Sequence, residues 1–220
     1  MFSNEVIMMI VRGIGESLYM TGFATLFGYI LGIPWGIGLS VTDKEGIRPN
    51  AGIYRILDVV ANIMRSVPFL IMLMLLIPVT RFIVGKSYGP TAAIVPLTIS
   101  AAPFIARMVE SSIKEVDHGV IEAAQSIGAS DMQIVTKVLL PEARVSLVTG
   151  AVIALGTILG YSAMAGVVGA GGLGDIAVRY GYYRFNFPIM IVTVILLVLL
   201  QQIFTFIGMH IAGRIDKRHI

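Results

Sequence analysis

PIMIVTVILLVLLQQIFTFIGMHI, residues 188–211, decides the solvent in which this chain folds. The stretch contains no Asp, Glu, Lys or Arg, and it ends only where Arg214 approaches. About 20 mostly apolar residues in a helix cross a hydrocarbon core of roughly 30 Å. Inside lipid the backbone finds no water, so only helices or closed barrels can span it. The apolar residues run on without alternating, which rejects a barrel.

Four further mostly apolar stretches lie upstream, at about 17–41, 56–80, 91–109 and 145–166. The whole composition agrees with them. Of the 220 residues 56% are hydrophobic and 13% charged, with mean hydropathy +0.87. A soluble domain carries roughly 25% charged residues. Half that proportion cannot coat a soluble enzyme, and it excludes a disordered tail. The net charge is +3 without a run of five or six like charges, so no nucleic-acid surface is expected. The absence of cysteine removes disulfides and thiolate metal sites. The expectation is an all-α membrane protein, one transmembrane domain over residues 1–220 with five transmembrane helices. Residues 1–16, where Glu5, Arg12 and Glu16 surround Val6–Val11, read as a mature, uncleaved terminus forming a short interfacial segment.

Five spans put the termini on opposite sides. With the C-terminus cytoplasmic, the inner segments hold Lys44, Arg48, Arg55, Arg107, Lys114, Lys137, Arg144, Arg214, Lys217 and Arg218. The outer ones hold Arg12, Arg81, Lys86, Arg179 and Arg184. The excess of inner cations favours an outside N-terminus and a cytoplasmic C-terminus.

The one long hydrophilic interruption, residues 111–143, then faces the cytoplasm. Val120, Ala123, Ala124 and Ile127 share one side of a short helix, which Gly128 is placed to stop. Ser130 and Gln133 form a capping box that starts a second helix, with Met132, Val135, Val138 and Leu139 on one side until Pro141 ends it. By pattern alone the pair either packs back on the membrane ends of its neighbours or docks into a partner, with Glu122 as a charged anchor.

The run Glu122-Ala123-Ala124, then Gly128, then Leu140-Pro141 resembles the EAA loop of the membrane subunits of bacterial ABC importers. Val138 stands where that pattern more often has Ile. VPLTISAAPFIARMVE (95–110) and YSAMAGVVGAGGLGDIAVRYGY (161–182) are similar to the permeases of methionine importers. The resemblance implies a type I ABC importer permease fold in a bacterial cytoplasmic (inner) membrane. It implies a homodimer with two cytoplasmic ABC ATPase subunits and an extracytoplasmic substrate-binding lipoprotein. It also implies an ATPase-coupling helix comprising Val120, Ile121, Glu122, Ala123, Ala124, Gln125, Ser126, Ile127, Gly128, Ala129 and Ser130.

Gly169-Ala170-Gly171-Gly172-Leu173-Gly174 satisfies G-x-G-x-x-G literally. A dinucleotide fingerprint needs a preceding strand and an acidic residue about 20 positions on. Here a membrane span precedes it and no acidic residue lies between Asp175 and Asp216. No Walker A element exists either, so ATP hydrolysis belongs to another subunit. The glycines suit an interrupted backbone at the outer end of a span, where transporter sites are often built. Tyr161, Ser162 and Met164, with Gly169, Gly171 and Gly172, are the candidate pathway and gate residues. The hydroxyls could meet a zwitterionic amino acid and the thioether could plug an apolar passage. The competing reading is a tight outer turn in which these side chains only pack.

Asp58, Asn62 and Arg65 fall on one helical face and are expected to brace the second span against the EAA loop, rather than to contact substrate. Arg107 with Glu110, and Asp175 with Arg179, read as local helix pairs. His118, His210 and His219 form no ligand cluster, so no metal or cofactor is expected, and no nucleophile–base pair suggests a catalytic set. The functional expectation is an alternating-access permease of an ATP-driven importer for an amino acid, methionine (L and/or D) foremost. The alternatives are a permease for another small amino acid, or a stand-alone carrier or channel. The last lacks a clear repeat and has few intramembrane carboxylates.

Overall fold

The computed structural model describes residues 3–216; Lys217, Arg218 and His219 lie outside the described residues. Helix α1 runs unbroken over Asn4–Thr42, with the Ser3 hydroxyl accepting from the Val6 amide at its start. The expected interfacial segment is therefore no separate element. Nothing in residues 4–16 breaks a helix, and the Arg12–Glu16 pair at 2.9 Å supports it one turn apart. At 1.5 Å per residue these 39 residues extend roughly 58 Å, well beyond a hydrocarbon core.

Gly28, Gly32 and Gly36 form a stripe along α1 that lies against α5 (Pro90–Lys114). A Cβ at Gly32 would fall 2.6 Å from Ile105, and one at Gly36 2.5 Å from the Ala106 carbonyl oxygen and 2.6 Å from Val109. Small residues let the two backbones close. The contacts advance together along both helices. Tyr19 meets Thr91 at one end, Gly28 meets Ala101 further on, and Asp43 meets Lys114 at the other end. Helices α1 and α5 are thus parallel, and the chain between them must travel back along their length.

That return is made in three pieces: α2 (Ala51–Ser66), α3 (Phe69–Leu75) and α4 (Ile77–Val84). The span expected over 56–80 is not one helix, because α2 and α3 meet at 101°. Pro68 is the cause. It holds Val67 extended (φ −79°, ψ 123°) and supplies no amide to continue the helix. Pro96 and Pro103, by contrast, are absorbed within α5, which extends past residue 109 to Lys114.

After α5 come α6 (His118–Ser126), α7 (Asp131–Ile134), a π-helical stretch Val135–Leu139, and α8 (Leu140–Glu142). Pro141 does not end this run, contrary to expectation. The π stretch, in which the Leu140 amide reaches the Val135 carbonyl, widens the coil just before the ring and relieves its clash. A single turn at Ala143 leads into α9 (Arg144–Ala165). A 3₁₀ turn, Gly166–Val168, follows, then α10 (Gly172–Ile176), a second π stretch (Ala177–Tyr182) and α11 (Phe187–Ile215). Helices α9 and α11 are antiparallel, with Gln201 against Gly156 and Val152 against Gly208.

Four of these helices are long and apolar enough to span a membrane, and α2–α3 taken together make a bent fifth. Among the described residues there is no strand. The interior, with Met20, Leu97, Ile105, Ile158 and Leu173 fully buried, sits where α1, α5 and α9 meet. Helix α11 is the outlier, with only 11% of its most apolar window covered by the rest of the chain.

Candidate functional site: the cytoplasmic loop, its ion network and the outer turn

Helix α6 starts at Asp117, whose carboxylate accepts from the Gly119 amide at 2.7 Å. Its inner side is Ile121 and Ala124. Val120, Ala123 and Ile127 point outward with Glu122, and Ile127 is 85% exposed. The stop has the Schellman geometry. With Gly128 at φ +80°, its amide reaches the Gln125 carbonyl at 2.9 Å and the Ala129 amide reaches that of Ala124 at 3.1 Å. The Ser130–Gln133 capping box is closed from both sides, at 3.4 and 2.9 Å. Val135 and Leu139 are buried and Val138 partly so, which roots the second helix in the bundle. Met132 does not share their side; it is 71% exposed. Gln125 and Ser126 are exposed, while Ala129 is half-buried under the turn. The loop therefore presents an apolar strip to the outside and anchors itself by its other face.

Beneath it a chain of charges ties α1, α2 and α5 together. Arg107 donates to the Asp58 carboxylate, to Asn62 Oδ1 at 3.1 Å and to Glu110 at 2.7 Å. Lys114 bridges Glu110 at 2.8 Å and Asp43 at 2.7 Å, and the Tyr54 hydroxyl donates to Glu110 at 3.3 Å. The Lys114 ammonium, through its hydrogen bond, holds the Asp43 carboxyl below the usual carboxylate range. Arg107–Glu110 is thus one link in a network rather than only a local pair. Asp58 and Asn62 brace α2 against α5, not against the EAA loop as expected. Arg65 takes no part, being exposed and without an ion-pair partner among the described residues.

At the opposite end the glycine turn is held by α1. Gly169, Gly171 and Gly172 all have positive φ, between 77° and 85°. Glu16 Oε2 accepts from the Gly172 amide at 2.8 Å and Ser17 Oγ from the Leu173 amide at 2.9 Å, which together cap α10. The Gly89 amide reaches the Gly169 carbonyl at 2.9 Å. Tyr161 stacks on Phe69, with ring centres 4.5 Å apart. Ser162 is buried and donates to the Leu159 carbonyl at 2.7 Å, while Met164 is half exposed. Asp175–Arg179 is a local pair at 2.9 Å. His118 is exposed at the start of α6, and His210 lies beside Phe206. Among the described residues no group of three His, Cys, Asp or Glu side chains could hold a metal.

Sequence comparison places residues 20–218 in the family described as binding-protein-dependent transport system inner membrane component. The chain belongs to that family. It is accordingly an inner-membrane permease subunit of an ABC importer, with the type I fold, and not an enzyme. It is 52% identical over 203 residues to a Vibrio cholerae protein named as a probable D-methionine transport system permease protein MetI, covering 92% of this chain and 90% of that one. It is 52% identical over 164 residues to the D-methionine transport system permease protein MetI of Escherichia coli, covering 74% and 76% of the two chains. Among solved structures, an inward-facing form of the MetNI methionine ABC transporter superposes with a TM-score of 0.97 at 49% identity, over 98% of this chain and 100% of that one.

Proposed function

We propose that this chain is the membrane-spanning subunit of an ATP-driven methionine importer, accepting the D or L amino acid, and that two copies form the pathway. The supporting observation is the 52% identity across 92% of the chain to a protein named for D-methionine transport. The outward strip of Val120, Ala123, Ile127 and Met132, closed by the Gly128 stop, fits a surface on which a cytoplasmic ATPase docks, one per copy. An extracytoplasmic binding protein delivers substrate where α10 and the turn at Gly169–Gly172 lie, so the N-terminus is outside and the C-terminus cytoplasmic. Surrounding lipid covers the exposed apolar residues of α1 and α11.

The mechanism follows from linkage. ATP binding draws the two ATPases together, and only a difference in their contacts with Val120–Ser130 between nucleotide states can shift the inward–outward equilibrium. The permease makes and breaks no bond. The test is uptake of labelled methionine into vesicles holding the chain, the ATPase and the binding protein. Import should require ATP and all three components. Methionine entry that persists without the ATPase would instead support a stand-alone carrier.

A further inference from the structure

We propose that Gln201 binds the transported amino acid half-way across the membrane, in an uncharged groove between α9 and α11. The inference rests on the reading of the chain as an amino-acid importer subunit and deepens it. Gln201 is the central residue of α11, and the nearest Asp, Glu, Lys or Arg before and after it in sequence are Arg184 and Arg214. It lies against Gly156 of α9, a helix that begins at Arg144. Along the two axes, Gln201 stands roughly 20 Å from Arg214 and Gly156 roughly 18 Å from Arg144. Half of a hydrocarbon core is about 15 Å, so both helices put this contact near the middle of it. The Gln201 backbone carbonyl accepts from Thr205, but its side-chain amide has no hydrogen-bond partner among the described residues. Polar groups at that depth face protein or a water-filled cavity rather than lipid. Gly156 makes this possible. A Cβ there would collide with the Gln201 amide, so the glycine lets the amide lie along α9.

The amide lines a groove of about 540 Å³, within the range of small-ligand sites, and no residue lining it is charged. Val152, Ile153 and Met209 give it apolar surface. The hydroxyls of Thr149, Thr157 and Thr205 each donate to a carbonyl of their own helix, which leaves their lone pairs to accept from an ammonium. The Gln201 amide donates to a carboxylate. Together they complement a zwitterion with an apolar side chain. Lacking a fixed charge, the site can also release it, as transport requires. The groove lies on a route as well. Thr157 shares a face of α9 with Gly160 and Met164, at spacings of three and four, on the way to the outer turn. Toward the other end Thr149 and Ile153 also line the opening that reaches Ser146 and Glu115. A lipid tail would fill the groove but leave the amide unpaired.

The test uses the complete complex of permease, ATPase and binding protein in vesicles. Because the chain has no cysteine, a single introduced thiol reports its own surroundings. Thr157→Cys places one in the groove, and Ile203→Cys places one on the opposite, exposed face of α11. A charged methanethiosulfonate reacts only where water reaches the thiol, and mass spectrometry of the permease reads the modification. Thr157→Cys should react at least tenfold faster than Ile203→Cys. Methionine should slow that reaction at least fivefold, and lysine should not. Adding Gln201→Leu should abolish the protection while the thiol stays reactive. Equally slow reaction of the two thiols means a groove filled by lipid and overturns the assignment without touching Gln201. A disulfide joining two copies through Thr157→Cys, with no protection by methionine, gives the groove to the second copy and likewise overturns it. So does protection by lysine as strong as by methionine, or protection that survives Gln201→Leu. ATP-driven methionine import by a complex whose groove methionine does not protect sinks this inference alone. Absence of import sinks the functional reading on which it stands.

Discussion

The Glu16 carboxylate accepts a hydrogen bond from the Gly172 amide across 2.8 Å of space and 156 positions of sequence. With Ser17 beside it, it satisfies two of the four amides that a helix start leaves without an intrahelical acceptor. A buried amide that loses its acceptor costs about 1–3 kcal/mol. Glu16→Ala should therefore loosen the segment from Gly172 to Tyr182 while α1 and α5 stay paired. Hydrogen exchange would read this as faster exchange of the α10 amides, with Glu16→Gln intermediate because it keeps an acceptor. Unchanged protection in Glu16→Ala would mean that the turn is held by its glycines alone.

The contact between α1 and α5 makes a sharper contrast. At Gly36 a methyl group would meet backbone, 2.5 Å from the Ala106 carbonyl oxygen, and backbone cannot move aside as a side-chain tip can. Overpacking of this kind costs about 1–3 kcal/mol. At Gly22, on the same helix, an added methyl would have nothing within 4 Å. Gly36→Ala should lower the melting temperature of the detergent-purified protein, and Gly22→Ala should leave it level or raise it slightly.

Gly128 separates conformation from space. A Cβ there meets nothing within 4 Å, yet φ is +80°. Gly128→Val should cost about 1–2 kcal/mol through the backbone alone and displace Ile127 and Met132 relative to each other. Gly128→Asn, which tolerates the left-handed region, should cost less. Co-purification with the ATPase subunit ranks the three: wild type, then Asn, then Val. Full recovery of ATPase with Gly128→Val would place the docking surface elsewhere.

Asp43 sets an acid limit. Its carboxyl titrates lower when folded than in the unfolded chain, because Lys114 donates to the charged form. The stabilisation is therefore complete above the unfolded value, about 4. It fades as pH falls from there through the lowered folded value. Asp43→Asn should remove that pH dependence and lower stability at neutral pH, leaving Lys114 with Glu110 alone. Melting curves between pH 3 and 7 for both proteins make the comparison; parallel curves would show that the pair contributes nothing.

Much of this architecture was readable from residue order because lipid imposes one strong rule. The uncharged run at 188–211 could only be a membrane helix. Gly128 and the Ser130–Gln133 box were equally legible, since caps act over three or four residues. What escaped is what depends on partners far away. Asp58 and Arg107 lie 49 positions apart; Arg107 read as a local partner of Glu110, and Asp58 as a brace toward the EAA loop. Pro68 and Pro141 show a second limit. A proline states that an amide is missing, but not whether the chain will bend, as at Val67, or widen into a π turn, as at Val135–Leu139. The 101° break came from the first outcome and the uninterrupted passage from α7 to α8 from the second. No signal within either stretch distinguishes them.

Helix α11 packs along one side on α9 and leaves most of its side chains answerable only to lipid or a second copy. Leu, Ile, Val and Phe are close to interchangeable in such surroundings, so its sequence is free to drift so long as the oiliness is kept. The positions that face its own chain are exempt, among them the buried Ile189, Thr193 and Ala212. Gly208 accommodates Val152 and Gln201 leans on Gly156, and they fix the helix against α9 as two rivets would. Genetic distance along this helix is therefore a poor measure of functional distance, and a divergent last helix says little about whether two such chains do the same work.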